Sequence, residues 1–255
     1  MNDGEDELLQ PDIGEFGLSM KSVFMVDAMY YHAAQQSYDR ALKHTGRIDR
    51  ARRALHKMDV QWTELQEKRR EIEAADEYSP RLAEISVKQE RLAIQMESVE
   101  SNVGEAYAPY LQAFAITHIL CVAALESHIN IGAAELLPEN ALPNFLNRPI
   151  RNKWLDLLKE LGKAGFDRNV QPYKGFDTLI NLRNKLVHYR PQEELWRSET
   201  GVPDYVSELG LTKEAAAGSL ETVKAMITAL AEKIGQEIPA WISGKSRNYF
   251  AFRIE

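Results

Sequence analysis

AYAPYLQAFAITHILCVAALESHINIGAAELL, residues 106–137, reads as a helix that is apolar around most of its circumference. A helix with one face in water keeps a polar side, and a helix without that division is surrounded by other elements. The stretch therefore predicts the central helix of a bundle. Its most apolar run, residues 113–125, is about 13 residues long and includes Thr117 and His118. A membrane span takes roughly 20, so no membrane association is expected.

Working toward the N-terminus, a heptad pattern precedes this helix. Ile48, Leu55, Trp62 and Arg69 share one register, and Ala51, Met58, Leu65 and Ile72 fill the other. This alternating 3/4 spacing is that of a coiled-coil seam. AADEYSP interrupts it, because Pro80 is tolerated only in the first turn of a new helix. A second heptad follows in Leu82, Ile85, Gln89, Leu92, Met96 and Val99. Two such helices joined by a short turn predict an antiparallel hairpin roughly 40 Å long. Upstream, residues 19–44 read as a helix on which Tyr30, Tyr31 and Tyr38 pack against neighbours. Residues 1–17, with six acids, three glycines and a proline, read as a mobile acidic tail.

Toward the C-terminus the helical period continues. Trp154, Leu155, Leu157, Leu158 and Leu161 mark a helix stopped by Gly162 and Gly165. Another spans residues 173–189 and ends before Pro191. Residues 192–210 read as loop with one short helix, after which Thr212 caps a final amphipathic helix. Alternating β-branched runs are scarce, so very little sheet is expected. The fold class is all-α: a helical bundle with a long antiparallel helical-hairpin arm. Its expected divisions are an acidic disordered tail (1–17), an N-terminal helix (18–46), the coiled-coil hairpin (47–105), the bundle (106–236) and a C-terminal segment (237–255).

Composition bounds the function. Hydrophobic residues at 44% and charged residues at 27% fit a soluble globular chain, cytoplasmic by expectation. The acidic opening lacks the cationic and apolar stretches of a signal peptide. With 31 basic against 38 acidic residues the net charge is −7, which excludes a general nucleic-acid coat. Charge is unevenly placed, however. Between Arg148 and Arg190 ten basic residues face four acids, a local +6, as a phosphate-binding cleft requires. Cys121 is the only cysteine, so neither an intrachain disulfide nor a thiol-built metal site can form.

YKGFDTLINLRNKLVHY, residues 173–189, holds the candidate chemistry. At about 100° per residue, Phe176, Leu179, Ile180, Leu186 and Val187 fall within about 60° of Arg183. A guanidinium thus stands in the middle of an apolar stripe, where burial is costly unless it is paired. Asp177, Asn181, Asn184 and His188 form a polar edge about 100–160° away. In the structural reading, Arg183 pairs with an internal carboxylate such as Glu126 and ties two helices together.

The run LINLRNKLVHYRP, residues 179–191, resembles the signature of the HEPN superfamily, the nucleotide-binding domains of higher eukaryotes and prokaryotes. The signature, Arg-Asn-x-x-x-His, is matched by Arg183, Asn184 and His188. The resemblance extends over roughly residues 106–236 and leaves the hairpin arm outside. It implies a HEPN-like bundle that dimerises, bringing two motifs into one cleft, and a metal-independent endoribonuclease with no cofactor. Arg183 would hold the phosphate, His188 would move protons, and Asn184 would assist. Lys185, Glu126 and Arg190 are substrate-binding candidates. The implied partners are an RNA substrate, a second copy of the chain, and an antitoxin or sensor protein. A toxin branch of the superfamily carries Tyr two residues after the His. Here that position is Arg190, and Tyr189 directly follows His188.

The alternative is a non-catalytic HEPN-like module for protein interaction. Other chemistries are poorly supported. His118 and Cys121 are spaced like a ligand pair, but such a pair is usually core packing. Glu-x-x-His, His-Glu-x-x-His and phosphate-loop patterns are missing, so di-iron, zincin and P-loop readings fail.

Overall fold

The computed structural model describes residues 20–75, 80–190, 204–244 and 248–254. Two long helices, α1 (Val26–Ala74) and α2 (Pro80–Leu136), carry most of the chain. They run antiparallel, and their partners track in reverse order. Asp27 meets His128, Ser37 donates to the Ala113 carbonyl, Ile48 packs with Val103 and Ala106, and Arg69 reaches Gln89. Heptad positions line this seam, with Ile48, Ile85, Gln89 and Leu92 buried and Leu55, Met58, Trp62 and Leu65 half-buried. The expected N-terminal helix and first arm helix form one uninterrupted helix, and so do the second arm helix and the central helix. Pro109 sits inside α2 near the level where the arm meets the bundle.

Shorter helices pack around the C-terminal half of α2. They are α3 (Leu142–Leu146), α4 (Ile150–Glu160), α5 (Tyr173–Val187), α6 (Asp204–Glu208) and α7 (Lys213–Ile234), followed by a 3₁₀ turn at Ala240–Ser243. The expected Thr212 cap is present. The Thr212 hydroxyl accepts from the Ala215 amide at 3.2 Å, and Gly235 closes α7 in the left-handed conformation. The main core gathers Tyr31, Leu125, Ile129, Phe145, Trp154, Phe176, Leu179 and Met226. An 18-residue window of α2 is long and apolar enough by composition to cross a membrane, which exceeds the 13-residue run noted above, and 44% of it is buried in the bundle.

Residues 138–149, between α2 and α4, contain α3. One expectation needs correction. The helix expected from residue 19 begins only at Val26, because residues before it form β1 (Met20–Phe24), which pairs antiparallel with β2 (Phe250–Ile254). Tyr249 extends this ladder by accepting from the Met25 amide at 2.7 Å, and the Phe24 and Phe250 rings meet at 5.5 Å. The ribbon ties the C-terminal segment to the start of α1. The acidic tail, most of the AADEYSP turn and residues 191–203 lie outside the described residues.

Candidate functional site

The first half of α5 is anchored by Phe176, Leu179 and Ile180, each at most 2% exposed. One turn later the same stripe leaves the core. Arg183 and Leu186 are half-buried, and Val187 is 53% exposed. This resolves the cost of a guanidinium on an apolar stripe, since Arg183 stands where the stripe emerges rather than in hydrocarbon. It has no ion-pair or hydrogen-bond partner among the described residues. Glu126, the carboxylate expected to pair with it, instead takes the ammonium of buried Lys153 at 3.3 Å.

The polar edge of α5 is held from α4. Arg151 donates from Nε to Asp177 Oδ1 at 2.6 Å and from Nη2 to Asn181 Oδ1 at 2.7 Å. Asn181 returns a hydrogen bond to Asp177 Oδ2 at 3.3 Å. Arg151 thereby fixes the upper half of the edge on which Asn184 and His188 continue. Sequence spacing within α5 could not reveal this residue, because it comes from another helix 26 positions away.

The opposite flank of α5 rests on the corner between α6 and α7. Leu186 packs with Val206 and Leu211, and Lys185 Nζ donates to the Glu208 carbonyl at 3.3 Å. Gly210, at φ +66°, lies so close to Leu182 that an added Cβ would stand 2.8 Å from its Cδ2. His118 secures the corner from below. Its Nε2 donates to the Gly210 carbonyl at 2.7 Å, and its Nδ1 meets Ser219 Oγ at 2.8 Å. Burial holds the His118 pKa below its ordinary value of 6.5, against the opposing pull of the Gly210 carbonyl. His118 is therefore neutral and serves as a strut. Cys121 is fully buried, and its thiol is pushed well above its usual range by desolvation. Among the described residues no group of three or more His, Cys, Asp or Glu side chains is placed to hold a metal.

His188 caps α5, its amide donating to the Asn184 carbonyl at 2.9 Å. The imidazole is exposed, Asn184 is half-buried, and neither side chain has a hydrogen-bond partner among the described residues. Arg190 is exposed just beyond. Elsewhere in the positive segment, Arg148, Arg151 and Lys153 are neutralised by Asp156, Glu160, Asp177 and Glu126. Lys159, Lys163, Arg168, Lys174, Arg183, Lys185 and Arg190 have no ion pair among the described residues, so the uncompensated positive charge includes the motif. A separate cleft of about 410 Å³ lies between α1 and α7, lined by Tyr31, Gln35, Asp39, Glu221 and Lys224, and includes no motif residue. No protein family, curated protein or solved structure matches this chain.

Proposed function

We propose that the chain is a metal-independent endoribonuclease of the HEPN type, working as a homodimer on RNA in the cytoplasm in antiviral defence or a toxin system. The observation that carries this reading is the state of Arg183, Asn184 and His188. All three stand at the emerging end of a firmly anchored helix, with no side-chain hydrogen bond or ion pair among the described residues. A structural arginine or histidine would be engaged; an RNA-cleaving pair has to be available.

The chemistry follows from the side chains. One imidazole takes the proton of a ribose 2′-OH, and the 2′-oxygen attacks the adjacent phosphorus. The bond to the 5′-oxygen breaks, and that oxygen receives a proton from a second imidazole. The products are a 2′,3′-cyclic phosphate and a free 5′-OH. Arg183 stabilises the charge gathering on the phosphate through its planar fork. Arg183 and His188 lie about 140° apart around the helix, so one copy presents them in diverging directions. A second copy supplies the complement, with Val187 and Tyr189, both exposed, at the meeting surface. An antitoxin or sensor protein would act by covering this end of α5. Cleavage of single-stranded RNA in EDTA that is lost in His188→Ala supports the reading, and undiminished cleavage by that variant refutes it. The same exposed apolar pair favours the alternative, a non-catalytic interaction module, which predicts no cleavage by the wild-type dimer.

A further inference from the structure

The chain's second concentration of positive charge lies outside the bundle, on the part of α1 that enters the arm. Between Arg40 and Lys57 seven basic residues face a single acid, Asp49. Six of them follow one another at helical spacing: Arg40, Lys43, Arg47, Arg50, Arg53 and Lys57. Steps of three and four residues place all six within one arc of roughly 140°. The core-facing Ala41, Ile48, Ala51 and Leu55 occupy the adjoining arc, and Asp49 falls outside the basic one. All six are exposed. The only ion pair any of them makes among the described residues joins Arg47 to Glu105 at 3.9 Å, with both side chains more than half exposed, a contact worth little in water. Asp39 bounds the row at its bundle end and Glu64 at its tip end.

Such a row opposes folding. Like charges at i,i+3 and i,i+4 destabilise a helix by a few tenths of a kcal/mol per pair. In the tip segment, with Glu64, Glu67, Lys68, Arg69, Arg70, Glu71 and Glu73, acids and bases are mixed and limit this repulsion. The row runs straight for about 26 Å on a helix braced by α2. Its geometry suits a linear polyanion. A lipid surface would need several apolar side chains to insert beside the cations, but among the described residues of α1 Val60, at the row's tip edge, is the single exposed large hydrophobic. Base stacking would need interleaved aromatics, and the row has none. Phosphates alone remain, and four of the six cations are arginines, whose fork matches phosphate geometry.

We propose that this face of α1 binds the phosphate backbone of RNA, independently of base sequence, as a contact surface distinct from the α5 motif. The choice of RNA as the polyanion rests on the ribonuclease reading, but binding itself does not require cleavage. The test uses the full chain carrying His188→Ala, so that the probe survives, and titrates it with a labelled single-stranded oligouridylate at several salt concentrations. Six phosphate contacts predict that log K falls against log salt with a slope of about −4. Replacing Arg50, Arg53 and Lys57 by Gln should bring the slope to about −2 and weaken binding at least about tenfold at low salt. Because these substitutions relieve repulsion, the melting temperature should hold or rise, which a structural role would not allow. Lys68→Gln with Arg70→Gln, a change in charge among the mixed tip residues, should alter neither affinity nor slope. The proposal is overturned if the triple variant binds like its parent, if the tip variant loses as much, or if the parent fails to bind at low salt. Cleavage by the wild-type chain is a separate measurement, so loss of the ribonuclease reading and loss of the binding surface are told apart.

Discussion

His188 and Asn184 are joined only through the backbone: the His188 amide donates to the Asn184 carbonyl at 2.9 Å and closes the last turn of α5. Both side chains are therefore free to serve something other than the fold. Truncating an exposed side chain without partners usually changes stability by less than about 0.5 kcal/mol. His188→Ala should then melt within about 2 °C of the wild type, while RNA cleavage falls at least about a hundredfold. Arg183→Ala should behave in the same way, losing about a hundredfold or more in rate. Thermal melting beside a cleavage assay decides the matter, and a drop of many degrees in either variant would return the motif to a structural role.

His118 predicts a pH dependence of stability. Its folded pKa is lowered by burial, so below about 6.5 the unfolded chain takes up a proton that the folded chain refuses. Unfolding free energy therefore rises with pH in the window just below 6.5 and is lost as pH falls through it, with a slope of at most about 1.4 kcal/mol per pH unit from this group. Urea unfolding at pH 7 and pH 5 measures it. His118→Gln should be less stable at neutral pH but show a shallower acid loss, and an equally steep loss would assign the dependence to other groups.

The local period of the chain was enough to read an all-α fold, the arm and the ends of α4 and α7, because each is set by residues within a few turns. Relationships across long sequence distances were not legible. MKSVF becomes a strand only because FAFRI, more than 200 residues later, lies beside it, and neither stretch is long enough to declare itself. The motif on α5 could be placed on its helix by spacing, but its surroundings could not. Arg151 comes from α4, the Gly210 corner comes from beyond α6, and Glu126 is held by Lys153, a pairing that no wheel drawn on α5 contains. The fate of Arg183 was equally hidden, since a stripe gives no sign of where it leaves the core.

The polar pair at the arm seam predicts a stabilising substitution. Gln89 is 6% exposed, its Oε1 accepts from Arg69 at 3.3 Å, and its Nε2 has no partner among the described residues. A buried amide donor without an acceptor costs about 1–3 kcal/mol. Arg69 is half-exposed and also bound to Glu73 at 2.8 Å, so it can turn to water when the amide is removed. Gln89→Leu should therefore raise the stability of the arm by about 1 kcal/mol, and the melting temperature by roughly 2–4 °C if the arm unfolds with the bundle. A lower melting temperature would mean that the amide supports more than Arg69.

Val187 predicts how assembly and activity are linked. It is 53% exposed at the end of a stripe whose first members, Phe176, Leu179 and Ile180, are fully buried, and an apolar side chain in that position suits a surface that a second copy covers. A carboxylate there costs a monomer little, because the site is already wet. In a dimer it would be desolvated without a partner, a penalty of several kcal/mol. Val187→Glu should therefore leave the melting of the monomer near that of the wild type while shifting sedimentation toward the monomer. RNA cleavage should fall with the dimer fraction if, as proposed, each copy completes the other's site. Full cleavage by a monomeric Val187→Glu variant would show that one copy of Arg183 and His188 suffices, and that the divergence of the two residues around α5 is bridged within a single chain.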